Sequence, residues 1–121
     1  MLVQYYLVDH SLRTTGGGKL RKGKVAAQCC HGALYAHEKA LSMTGHFYQT
    51  VYMRWYTNDM AKIILLCTTS DLERALLEYP NASEVVDLGF TEIAPNTRTV
   101  VVLPVMPKDQ APEWVAQLSL L

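Results

Sequence analysis

The hydrophobic and polar residues follow two spacings along the chain, one typical of strands and one of helices. Short segments rich in β-branched and other apolar residues predict strands at residues 2–8, 61–67, 83–88 and 99–105. Longer segments that end at turn-forming residues predict helices at residues 24–42, 47–56, 71–79 and 112–118. The order β-α-α-β-α-β-β-α predicts an α/β fold of three layers, with helices on both faces of one sheet.

The predicted sheet has four strands and is mixed. The loop between the last two strands, residues 89–98, is too short to contain a crossover helix. Strands joined in this way pair antiparallel, because parallel neighbours need a longer connection. The chain has 121 residues, of which 50% are hydrophobic, and we expect a single domain over residues 1–121.

Several features predict a cytoplasmic protein without a membrane segment. No apolar segment approaches the roughly 20 residues that a membrane-spanning helix needs. Residues 1–10 lack the basic start and apolar continuation of a secretory signal. The cysteines are odd in number and two are adjacent, which favours reduced thiols over a disulfide framework. The histidines and cysteines show no metal-ligand spacing, so we expect no metal site.

The charged residues are unevenly distributed although the net charge is zero. Residues 1–62 hold eight lysines and arginines and three acidic residues. Residues 63–121 hold three lysines and arginines and eight acidic residues. The densest basic segment, which follows three glycines, consists of Lys19, Arg21, Lys22 and Lys24. Such a segment suits a phosphate-bearing partner, although on charge alone a solvated loop without a specific role is the simpler explanation.

The first predicted helix carries a polar stripe on a surface that is otherwise small and apolar. Lys24, Gln28, His31 and Tyr35 are spaced i, i+4, i+7 and i+11, which places them on one side of the helix. Lys24 lies in the first turn, where free backbone N–H groups and the helix dipole favour an anion. Two alternatives stay open: the stripe is the solvated face, above all at Tyr35, or His31 is a partly buried core residue.

A second group of polar residues, Asp87-Leu88-Gly89-Phe90-Thr91, follows a predicted strand. The loops after strands are where α/β folds place functional groups. Asp87 is suited to orient a lysine or a histidine, and Thr91 to hold a water or to donate to a substrate. The alternative is an ordinary turn, in which Asp and Gly are common for backbone reasons.

Two segments resemble the signature of the archaeal and eukaryotic type of peptidyl-tRNA hydrolase. Residues 22–33, Lys-Gly-Lys-Val-Ala-Ala-Gln-Cys-Cys-His-Gly-Ala, are similar to its Gly-Lys, small residues, Gln and His. Residues 87–95, Asp-Leu-Gly-Phe-Thr-Glu-Ile-Ala-Pro, are similar to its Asp-x-Gly-x-Thr followed by Ala-Pro, and residues 99–103 to its last strand. Two segments in this order are more specific than either alone, and the resemblance covers nearly the whole chain.

The resemblance implies hydrolysis of the ester that joins a peptide to the terminal ribose of tRNA, which frees the tRNA for reuse. It implies tRNA as the partner and no cofactor. It also implies a mixed four-stranded sheet between helices and allows a homodimer, for which the aromatic-rich residues 47–56 would supply an exposed patch.

The resemblance also implies an active site. Carried over position by position, its catalytic residues are Lys24, Gln28, His31, Asp87 and Thr91. Lys24 would stabilise a phosphate or the oxyanion that develops during ester cleavage. Asp87 would hold Lys24 or orient a water, and Thr91 would position that water. Gln28 and His31 would complete the polar network. The tRNA backbone would be attracted by Lys19, Arg21 and Lys22.

The sequence departs from the family pattern at three positions. Leu7 and Phe90 stand where the family commonly has arginine, and Glu92 stands where it commonly has glutamine. These departures predict a weaker positive surface for tRNA. They leave open a non-catalytic RNA- or protein-binding module on the same fold, and a hydrolase of a different ester.

Overall fold

The computed structural model describes residues 1–89 and 93–121 and has the predicted α/β architecture. Its strands are β1 (Leu2–Asp9), β2 (Lys62–Cys67), β3 (Ser83–Asp87), β4 (Thr97–Val102) and β5 (Met106–Pro107). Its helices are α1 (Lys22–Ser42), α2 (Phe47–Tyr56), α3 (Thr69–Glu78) and α4 (Glu113–Ala116). All eight predicted elements are present, α2 with the predicted ends and the other seven with shifted ends, and the short strand β5 is an addition.

The sheet is mixed, as predicted. Its strand order is β2-β1-β4-β3, with β1 parallel to β2 and β4 antiparallel to both β1 and β3. Strand β5 pairs antiparallel with the beginning of β1. Strands β1, β2 and β3 therefore run in the same direction, and their carboxyl ends lie at the same edge of the sheet. This is the edge at which open α/β sheets usually bind ligands.

Helices cover both faces of the sheet. On one face α1 packs against the strands, and the buried core there consists of Tyr6, Val8, Cys29, Val85, Val100 and Val102. On the other face α3 and α4 pack against a larger core that includes Val3, Tyr5, Leu65, Leu72, Val101 and Val115. Helix α2 lies against α1 through Ala40, Tyr52 and Trp55. The three-layer prediction is confirmed.

Helix α1 lies very close to the sheet at Gly32. A Cβ atom at this position would be 2.7 Å from Cγ2 of Val102 and 3.3 Å from Cγ2 of Val85. Both neighbours are β-branched, and their stiff side chains cannot swing away easily. The close approach keeps the polar stripe of α1 beside β3, the strand that ends at Asp87.

Two expectations about surface residues are wrong. Leu7 is fully buried in the core covered by α3, so this departure from the family pattern changes no exposed surface. The aromatic residues of α2 do not form one exposed patch, because Tyr52 and Trp55 are buried against α1. Of the aromatic side chains in that helix, Phe47 and Tyr56 are the ones that stay largely exposed.

The glycine-rich loop before α1 closes into a tight hairpin. Arg13 and Lys19 form a β-bridge, and the N–H of Thr14 donates to the carbonyl of Gly18 at 2.8 Å. The turn needs glycine at Gly17, whose φ of +90° lies in the left-handed region. The hairpin delivers the chain to Arg21, the N-cap residue of α1.

Three further findings concern the part of the chain that the structure describes. None of its helices combines the length and the apolar character needed to cross a bilayer. No three of its His, Cys, Asp or Glu side chains come together in a way that would hold a metal ion. The cysteines are free thiols, with Cys29 and Cys67 buried and Cys30 exposed.

Candidate active site

An ion pair between α1 and β3 forms the centre of the candidate site. Nζ of Lys24 contacts Oδ2 of Asp87, and the two side chains are only 14% and 5% exposed. Lys24 lies in the first turn of α1, which has neither an acidic residue nor a capping side chain. Because the start of a helix favours negative charge, the carboxylate of Asp87 compensates both the ammonium group and the helix dipole.

The loop after β3 holds Asp87 in place. The N–H of Gly89 donates to Oδ1 of Asp87 at 2.5 Å, and the N–H of Asn96 donates to the Asp87 carbonyl at 2.7 Å. Gly89 has a φ of +80°, and a Cβ atom there would be 2.7 Å from Cα of Pro95. Only glycine fits this position without a shift of the loop.

The surroundings of Asp87 favour its ionised form. Burial alone would raise the pKa of Asp87, but the Lys24 ammonium, the Gly89 N–H and the charge of His31 together hold that pKa below its ordinary value. Asp87 is therefore a carboxylate at neutral pH. A carboxylate with a lowered pKa is a weak base, so it is better suited to orient a water than to remove a proton by itself.

The lowered pKa of Asp87 leads to a prediction for acid solution. A carboxyl whose pKa is lower in the folded than in the unfolded chain adds stability above the unfolded value, about 3.9, and this stability is lost as the pH falls through the folded value. We expect a carbon-13 NMR titration to place Asp87 below the ordinary aspartate range. We expect Lys24→Met to raise its pKa, because burial then acts without the ammonium. A titration of wild-type Asp87 above the ordinary range would contradict the proposed electrostatics.

A buried polar pair lies beside the ion pair. Nε2 of Gln28 donates to the hydroxyl of Thr99 at 2.8 Å, and this hydroxyl donates to the carbonyl of Val85 at 3.3 Å. Gln28 and Thr99 are both buried, so the hydrogen bonds determine the orientation of the amide. The sequence analysis did not identify Thr99. Its signal was a threonine at an inward position of a strand whose other inward residues are valines.

His31 and Tyr35 lie on the exposed side of the stripe. Both are exposed, and their rings are nearly parallel, with centroids 6.4 Å apart and an angle of 23° between the planes. The alternative that His31 is a buried core residue is therefore wrong. A cleft of about 270 Å³ runs along the stripe, and it is lined by Lys24, Gln28, His31, Tyr35, Val85, Val86, Asp87 and Leu88.

The structure brings four of the five predicted catalytic residues to one cleft, namely Lys24, Gln28, His31 and Asp87. The fifth, Thr91, lies outside the described residues, as do Phe90 and Glu92. The predicted tRNA-binding residues Lys19, Arg21 and Lys22 are exposed and lie at the N-terminal end of α1. They lie near Lys24 along the chain but do not line the cleft.

Comparison with known proteins decides the family. The family model described as "Peptidyl-tRNA hydrolase PTH2" matches residues 2–121. The chain belongs to this family. This chain is 33% identical over 108 residues to peptidyl-tRNA hydrolase 2 of Saccharomyces cerevisiae, and 30% identical over 111 residues to a peptidyl-tRNA hydrolase of Staphylothermus marinus. It is 28% identical over 107 residues to the human protein "Peptidyl-tRNA hydrolase 2, mitochondrial".

The coverage of these relatives differs. The matches to the yeast and human proteins each include 84% of this chain, and the match to the archaeal protein includes 85% of it. They include 52% of the yeast protein and 58% of the human protein, but 86% of the archaeal one. The chain thus spans about half the length of the yeast relative and nearly all of the archaeal relative.

Proposed function

We propose that this chain hydrolyses the ester bond of peptidyl-tRNA and releases a peptide and a free tRNA. The observation that carries the proposal is the Lys24–Asp87 ion pair at the start of α1, beside a cleft and next to a basic segment. Family membership supports the proposal, because the yeast and archaeal relatives described above are named peptidyl-tRNA hydrolases.

In the proposed reaction a water molecule attacks the carbonyl carbon of the ester. The carbonyl oxygen becomes an oxyanion, and the bond between the carbon and the ribose oxygen then breaks. The ribose oxygen takes up a proton and leaves as the free hydroxyl of tRNA, while the peptide leaves as a carboxylate. The enzyme has to orient the water, stabilise the oxyanion and accept the proton of the water.

The residues of the cleft have properties that suit these tasks. Asp87, ionised and held by Gly89, orients the water. The ammonium of Lys24, together with the free N–H groups at the start of α1, stabilises the oxyanion. Gln28 positions the substrate with an amide that Thr99 holds, and His31, exposed in the cleft, is the candidate to accept the proton.

The basic residues at the start of α1 give the tRNA a place to approach. Lys19, Arg21 and Lys22 are exposed there, and phosphate contacts of this kind give affinity that decreases with salt. A role for Thr91 in holding the water stays a prediction from the sequence, as do a homodimer and a cytoplasmic location.

The test of the proposal is the release of tRNA from a purified N-acetyl-aminoacyl-tRNA. We expect the wild-type chain to convert this substrate to free tRNA and N-acetyl amino acid. The reaction should be faster than the uncatalysed one at every salt concentration at which the chain binds the substrate. Rates should fall as salt increases, because fewer phosphate contacts then hold the tRNA.

The control reaction uses the same tRNA with a free amino group on its amino acid, which distinguishes general ester cleavage from a preference for blocked substrates. If a folded wild-type chain binds the N-acetyl-aminoacyl-tRNA but does not cleave its ester, the chain is a binding module. If it cleaves simple esters and leaves both tRNA substrates intact, its substrate is a different ester.

A further inference from the structure

Helix α1 covers one side of the sheet more than the other. It packs mainly against β3 and β4, whereas β2 lies at the opposite edge of the sheet. On the face of β2 that points towards α1, Lys62 is exposed and Ile64 is partly buried, while Leu65 and Cys67 on the other face are buried. A groove of about 690 Å³ remains between α1 and β2. The candidate active-site cleft lies on the other side of α1, beside β3.

The lining of this groove is mostly apolar. Tyr6 and Ile64 form its floor, and Val25 and Ala26 line it from α1. Leu121 bounds the groove at the edge of β2, where its N–H donates to the carbonyl of Ile64 at 3.0 Å. Binding sites for small molecules are concave, mostly apolar and about 300–1,000 Å³ in volume. The groove has all of these properties.

Two lysines lie at opposite ends of the groove. Lys22 is in the first turn of α1, and Ala33 lines the groove about 16 Å further along this helix, given a rise of about 1.5 Å per residue. Lys62 lies at the Ala33 end, because both residues also line a second cavity, which is bounded by α2. Among the described residues that line the groove there is no Asp or Glu. The groove is therefore elongated, apolar and positively charged.

The two lysines are not equivalent. Nζ of Lys62 donates to the carbonyl of Met60 at 3.1 Å and lies 5.2 Å from the centre of the Trp55 ring. Lys22 is exposed at the start of α1, where free backbone N–H groups and the helix dipole add to its positive charge. An anionic group is therefore stabilised best at the Lys22 end, and an apolar chain attached to it would extend towards Ala33.

We propose that the groove binds one molecule of a long-chain carboxylate, with the carboxylate group at Lys22 and the alkyl chain along α1. The charge of the lining selects the head group of this ligand, and the length and apolar character of the groove select its chain. The site is separate from the cleft of the proposed reaction, so it stands whether or not the chain hydrolyses peptidyl-tRNA.

The first test is a calorimetric titration of the full chain with straight-chain carboxylates, below the concentrations at which they form micelles. We expect dodecanoate to bind roughly 100-fold more tightly than octanoate, because four more methylene groups are removed from water. Dodecylammonium, which has the same chain and the opposite charge, should bind about fivefold more weakly than dodecanoate. Equal affinities of octanoate and dodecanoate, tighter binding of dodecylammonium, or no binding at all would overturn the proposal.

The second test uses two adjacent alanines of α1 that are both exposed. Ala26→Phe should weaken the binding of dodecanoate about tenfold or more, because the ring occupies the space of the alkyl chain. Ala27→Phe is the matched control, because Ala27 does not line the groove, and it should bind dodecanoate within about twofold of wild type. Lys22→Met should weaken binding about two- to fivefold. Equal losses in the two phenylalanine variants would place the ligand outside the groove.

The thiol of Cys30 provides a further measurement, which needs no substitution. Cys30 is exposed and lines the groove, whereas Cys29 and Cys67 are buried. Bound dodecanoate should slow the alkylation of Cys30 by iodoacetamide several-fold, as measured by mass spectrometry of the peptide that contains it. Alkylation at an unchanged rate with saturating dodecanoate would contradict the proposed site even if the Ala26→Phe chain does not fold.

Two other occupants of the groove are distinguished by separate experiments. Binding of the chain to phosphatidylglycerol vesicles without binding of free dodecanoate would assign the groove to a lipid surface and overturn the proposal. Analytical ultracentrifugation tests for a second copy of the chain. A wild-type dimer that is dissociated by Ala26→Phe and unaffected by dodecanoate would assign the groove to a contact between copies, and this result would also overturn the proposal.

Discussion

Replacement of Lys24 by alanine is expected to lower kcat/KM for peptidyl-tRNA by about 100- to 1,000-fold, the loss seen when one stabilising group for an oxyanion is removed. The ammonium group is held against Asp87 at the start of α1, and Lys24 is the one lysine or arginine among the described residues that line the cleft. The measurement is the initial rate of tRNA release at substrate concentrations well below KM. Circular dichroism and thermal unfolding must show that the variant is folded.

The same experiment needs variants that separate charge from geometry. Asp87→Asn should cause a loss of similar size, and the double variant should lose little more than either single one, because the two side chains act as a unit. The control is Glu84→Gln on the same strand, which breaks an exposed ion pair with Arg98, 2.7 Å long, outside the cleft. A folded Lys24→Ala chain with wild-type rates would exclude the proposed oxyanion role.

The largest effect on stability is expected from a single added methyl group in α1. Gly32→Ala should lower the free energy of unfolding by roughly 1–3 kcal/mol, the usual cost of overpacking a core. The new Cβ would lie 2.7 Å from the stiff side chain of Val102, so the helix has to move away from the sheet. That movement would also displace Lys24 and Gln28 relative to β3, and we expect activity to fall with stability.

Gly23→Ala is the matched control, since it makes the same substitution in the same helix. A Cβ atom at Gly23 would meet no atom of the described residues within 4 Å, and the φ of Gly23 is not in the left-handed region. There alanine should raise the free energy of unfolding by about 0.4–1 kcal/mol, because it restricts the unfolded chain. Urea unfolding of both variants checks the prediction. Equal effects of the two substitutions would mean that α1 is not tightly packed at Gly32.

The fold was largely predictable because the hydrophobic spacing changes clearly from element to element. Val100, Val101 and Val102, for example, belong to the β-branched segment that predicted β4, and all three are buried. The ends of elements were less predictable. Helix α1 begins at Lys22 without a capping hydrogen bond from the side chain of Arg21, so the usual sequence signal for a helix start is missing there. Strand β5 has two residues, too few to show a period.

The candidate site was predictable where its residues share one element. The stripe of α1 follows from helical spacing, and it predicted Lys24, Gln28 and His31. Thr99 was not predictable, because its function depends on a hydrogen bond across 71 positions of the chain. The sequence left open whether Tyr35 belongs to the solvated face or to the site. Helical spacing gives its side of the helix, but only the structure shows that it lines the cleft.

The strand order has a consequence for the protein during its own synthesis. Among the described strands, β3 pairs with β4 alone, which is made after it, and β4 also separates β3 from β1. Until the ribosome has added Val102, the strand that carries Asp87 lacks the strand that joins it to the rest of the sheet. A copy whose translation stalls after residue 87 but before Val102 contains both Lys24 and Asp87 without the complete strand that pairs with β3. A nascent chain of this protein is therefore a substrate of the proposed reaction before it becomes able to catalyse it.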